Sequence, residues 1–99
     1  MHPDFVFFHE VGGKIVASIL DPHGHHLEDA LMKLRALVKF TEKFGNEFHR
    51  IESFTQVDDN MRVLDMKREA VREAVMAGNQ SVLGLYQSSI AIDYDLNER

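Results

Sequence analysis

Gly12-Gly13 constrains this chain more than any other pair of residues, because it separates two runs rich in β-branched and aromatic residues, Phe5–Glu10 (FVFFHE) and Lys14–Leu20 (KIVASIL). Consecutive glycines supply the positive φ that a two-residue hairpin loop requires at both central positions. The expected element is an antiparallel hairpin in which Val11 faces Lys14 and each step outward adds a pair, until Asp4 faces Asp21. Alternation along a strand then puts Val6, Phe8, Ala17 and Ile19 on one face and Phe5, Phe7, Val16 and Leu20 on the other. Since both faces are apolar, the hairpin is expected inside a sheet covered on both sides.

A polar stretch, LDPHGHH at residues 20–26, follows the hairpin. Beyond it Leu27, Ala30, Leu31, Leu34, Val38 and Thr41 recur at three- and four-residue spacing up to Gly45, the pattern of an amphipathic helix ended by a glycine. Glu28 and Asp29 near its start and Lys39 and Lys43 near its end complement the helix dipole. Residues 48–57 (FHRIESFTQV) and 61–66 (MRVLDM) flank Asp58-Asp59-Asn60 and are expected to form a second hairpin. Good helix formers fill 67–77 (KREAVREAVMA) and stop at Gly78-Asn79; the remainder reads as a short helix with an extended tail. The fold class is therefore α+β: a hairpin, a long helix, a second hairpin and short C-terminal helices. Residues 1–78 are expected to form the core, and 79–99 a short helix and tail.

Ninety-nine residues suit one small domain, whose modest core would gain from a partner or a dimer. With 11 basic against 16 acidic residues the net charge is −5, which argues against attraction to nucleic acid over the whole surface. No cysteine is present, so neither a disulfide framework nor a thiolate metal site is available. No apolar run approaches the roughly 20 residues of a membrane helix, and Met1-His2-Pro3-Asp4 lacks the features of a signal peptide. A cytoplasmic protein without membrane contact is expected.

The hairpin register gives the polar stretch its chemical interest. Opposed residues on antiparallel strands hold their Cβ atoms about 5 Å apart, so Asp4 and Asp21 would meet as two repelling carboxylates. Mg²⁺ relieves such a pair with the hard oxygen ligands it prefers, and it polarises phosphoryl groups. His23 would share the face if the chain stays extended through Pro22, next to that metal as a proton-handling group. Asp before Pro and Gly is equally the composition of a solvated polar turn. His23, His25 and His26 together also suit Zn²⁺ or Ni²⁺, or a solvated helix start; His2, His9 and His49 are scattered and receive no role. Arg35, Lys39 and Lys43, at i, i+4 and i+8, form a basic stripe suited to a phosphate backbone or to plain solvent. Arg68 and Arg72, interleaved with Glu69 and Glu73, read as helix-supporting ion pairs.

Pro3-Asp4, a hairpin, then Asp21-Pro22-His23-Gly24 before a helix resembles the PD-(D/E)xK signature of restriction-endonuclease-like nucleases. More closely, HPDFVFF, ILDPHGHHLEDALMKLRAL, FHRIES and MRVLDM resemble the C-terminal nuclease-like region of DEAD/DEAH-type helicases related to the restriction subunit of type III restriction systems. The resemblance implies a partial restriction-endonuclease-like fold, Mg²⁺ at Asp4 and Asp21, DNA phosphodiester hydrolysis, and a helicase or restriction subunit as partner. Its lysine falls on His23, which lacks a permanent charge. Its first helix and strand are missing, which implies a domain inactive alone. An incomplete sheet of this kind has an apolar, unpaired edge, with Phe5, Phe7 and Phe8 most exposed, so a homodimer or docking on a partner is expected.

Overall fold

A computed structural model describes residues 5–22 and 29–94. The α+β architecture is present as β1 (Phe5–Val11), β2 (Lys14–Pro22), α1 (Ala30–Phe44), a 3₁₀ turn (Gly45–Glu47), β3 (Arg50–Val57), β4 (Asn60–Asp65), α2 (Glu69–Ala77), α3 (Val82–Gln87) and β5 (Ile92–Asp93). The strands form one sheet in the order β1-β2-β3-β4-β5. Among the described strands, only β2 and β3 run parallel. A parallel pair needs a long crossover, and α1 supplies it.

The first hairpin has the register expected from its glycines, with Val11 opposite Lys14 and Phe5 opposite Leu20. Gly12 and Gly13 sit at φ of 58° and 83°, the left-handed region a primed two-residue turn demands. The parallel register then sets Ile19 beside Ile51 and Asp21 beside Ser53, while β3–β4 pairing sets Ser53 beside Leu64. Ile19, Ile51 and Leu64 therefore share one face, and the three helices cover it. Leu34, Leu37 and Val38 of α1, Val71 and Val75 of α2, and Val82, Leu85 and Tyr86 of α3 pack with them in one buried cluster.

This helical layer ends part-way along the first hairpin, contrary to the expectation of cover on both sides. On the helix-facing side of β2, exposure rises from 0 % at Ile19 to 69 % at Ile15. The same side of β1 is also open, with Val6, opposite Ile19, at 45 % and Phe8, opposite Ala17, at 75 %. Apolar alternation sets which residues share a face, but not how far the covering helices reach.

Three arginines brace the helices. Arg62 donates from Nε to Tyr86 O at 2.9 Å, from Nη2 to Ser88 O at 3.0 Å and Ala91 O at 3.2 Å, and from Nη1 to Asp93 Oδ1 at 2.8 Å. One guanidinium thereby fixes the turn between α3 and β5. Arg72, which the sequence pairs with glutamate, donates to Met66 O at 2.9 Å, and Arg68 reaches Ile90 O at 3.4 Å.

Candidate functional site

Asp4 and His23, and with them His25 and His26, lie outside the described residues, so the carboxylate pairing and the histidine cluster do too. Asp21 is described. It is the half-buried penultimate residue of β2, and its backbone carbonyl accepts from Ser53 Oγ at 3.1 Å. Ser53 Oγ also shares a 2.6 Å hydrogen bond with Tyr86 Oη. Burial pushes the Tyr86 phenol well above the ordinary tyrosine range; the Ser53 bond pulls it back somewhat, and the Asp21 charge raises it. Among the described residues no group of three or more histidine, cysteine or acidic side chains is placed to hold a metal ion. No described helix is long and apolar enough to cross a membrane.

The basic stripe divides. Arg35 donates to the C-terminal carbonyls of α2, Val75 O at 3.3 Å and Met76 O at 3.5 Å. That contact ties α1 to α2 and complements the helix end. Lys39 is exposed, and Lys43, also exposed, lies 5.4 Å from the Phe44 ring centroid.

Two features of the first hairpin stand out instead. One is its outer surface: Val6, Phe7, Phe8, Val11 and Ile15 are all at least 41 % exposed. The other is a polar notch on the face away from the helices. Phe7 pairs with Ser18, and Ser18 with Arg50, which aligns three side chains of adjacent strands on that face. His9 Nε2 lies 2.8 Å from Ser18 Oγ, and the His9 and His49 rings meet edge to face with centroids 5.4 Å apart. His49 immediately precedes β3 and is anchored by its own N–H to Ala17 O at 2.7 Å. No sequence signal marks this cluster, because it needs a parallel register between segments separated by a helix.

A family model described as the YagJ family matches residues 1–95. The chain belongs to the YagJ family. Protein YagJ of Escherichia coli (strain K12) is 44 % identical over 94 residues, covering 95 % of this chain. Those residues are 38 % of that relative, so the chain spans well under half of its length. No solved structure matches. The YagJ match overturns the resemblance to a helicase-associated nuclease region, and with it the reading as a helicase or restriction-subunit fragment with DNA hydrolysis. Short segments such as a Pro-Asp and a later Asp-x-His arise readily in unrelated chains, whereas a match over 1–95 tests the whole order of residues.

Proposed function

We propose that this YagJ-family chain works through association, pairing β1 with the β1 strand of a second copy. One observation carries the proposal: β1 is the outer strand of the sheet, and its side chains and those beside it form the most exposed apolar surface of the hairpin. An outer strand presents a row of backbone donors and acceptors, and monomeric proteins blunt such rows with lysine, proline or bulges. The stretch FVFFHEV contains no lysine or proline, and its ladder to β2 runs without a bulge.

A second copy suits this edge because antiparallel pairing of identical strands is two-fold symmetric and self-complementary. Centred on Phe8, it sets Glu10 against Val6 and His9 against Phe7, so no like charges face each other. The sheet, including any likeness to a partial restriction-endonuclease-like fold, serves in this reading as a scaffold for the edge and carries no nuclease chemistry.

Light scattering after size exclusion at high-micromolar concentration tests the proposal. Twice the chain mass is expected, reverting to a single chain mass in Phe8→Lys, which adds an edge-blocking charge. A wild-type monomer overturns it. So does a monomer that binds the portion of YagJ outside the matched residues, since the apolar face would then be covered by further family sequence.

A further inference from the structure

We infer that the notch between β1, β2 and the start of β3 is a binding site for a small organic acid, with an oxyanion head and an apolar body. The cavity, about 320 Å³, is lined by Phe7, His9, Ser18, Leu20, His49 and Arg50, and also by Glu10 and Val11. That volume lies at the small end of the range for ligand pockets.

The geometry follows from the register. Ser18, 5 % exposed, is the small residue at the centre of three strands, flanked by Phe7 on one side and Arg50 on the other. A short side chain between two long ones leaves a depression. Its floor offers a hydroxyl, its walls two imidazoles and a guanidinium. Phe7 and Leu20 supply the apolar part. Guanidinium and imidazole groups are the side chains best suited to hold a carboxylate or phosphate by charge-assisted hydrogen bonds.

Two described acids lie near the notch, Glu10 and Glu52. Glu10 lines the cavity but alternates with His9 along β1, and its register partner Ile15 belongs to the helix-facing side. Glu52 shares the notch face but is 2 % exposed and does not line the cavity. The inference does not depend on self-association, because the lining side chains stand perpendicular to the sheet while strand pairing uses its edge.

Amide-resolved NMR titration with inorganic phosphate and with phenyl phosphate tests the site. Saturable shifts are expected at His9, Ser18, His49 and Arg50, with phenyl phosphate binding more tightly because its ring meets Phe7 and Leu20. Arg50→Gln is expected to weaken binding by at least about tenfold. His49→Gln changes an exposed side chain, and it provides a second variant should Arg50→Gln fail to fold. The inference is overturned by the absence of saturable shifts at millimolar probe, by affinity unchanged in both variants, or by Zn²⁺ shifting His9 and His49 while neither phosphate does.

Discussion

At the scale of single residues, the groups that matter most are polar side chains working inside the fold. Arg62, with a side chain 19 % exposed, satisfies three backbone carbonyls and one carboxylate. Removing a charged donor strands its buried acceptors, so Arg62→Ala is expected to cost about 2–3 kcal/mol in chemical denaturation. Its carboxylate partner Asp93 is 70 % exposed, and Asp93→Asn is expected to cost less than about 1 kcal/mol. Equal losses from the two variants would show that the ion pair, and not the carbonyl contacts, holds the α3–β5 turn. Tyr86 adds a pH dependence. Its phenol is raised above the tyrosine value of about 10 chiefly by burial, so the folded state holds the proton more tightly than the unfolded state. The resulting stability is complete below about pH 10 and declines as pH rises toward the folded-state value. Melting temperature followed above pH 10 is expected to fall more steeply for the wild type than for Tyr86→Phe; parallel curves would contradict this.

Among the elements, glycines were the most legible signals, because each marks a backbone conformation that other residues resist. Gly12-Gly13 predicts the hairpin and its register, and Gly78 predicts the end of α2. Gly78 has a second constraint that the sequence does not reveal. It adopts φ of 72°, and a Cβ there would lie 2.8 Å from Arg35 Nη2, which donates to Met76 O at the end of α2. Gly78→Ala is therefore expected to cost about 1–2 kcal/mol. Pairing it with Arg35→Ala in a double-mutant cycle would show coupling, whereas strict additivity would mean that only backbone strain is at work. The cluster around His9 and His49 was much less legible. His9 and His49 look scattered along the chain, and only the β2–β3 register, set by a helical crossover, brings them together. Arg35 and Arg62 were opaque for the same reason: their acceptors are backbone carbonyls remote in sequence, which no side-chain pattern records.

For the molecule as a whole, stability and association are linked. A 99-residue chain has a small core, and here part of its apolar inventory, including Phe8 and Ile15, lies outside that core. Exposed apolar surface contributes nothing to folding until a partner covers it. If a second copy of β1 does so, dimerisation and folding share one free energy, and mass action raises stability with protein concentration. A tenfold increase is worth about 1.4 kcal/mol per dimer, or about 0.7 kcal/mol per chain. For a domain of this size that corresponds to a rise in melting temperature of about 3–5 °C. Scanning calorimetry across two decades of concentration is expected to show this rise in the wild type and none in Phe8→Lys. The net charge of −5 opposes association, so the rise is expected to grow with added salt, which screens repulsion without weakening apolar contact. A melting temperature independent of concentration would leave the hairpin's apolar surface to another occupant and remove a second copy from consideration.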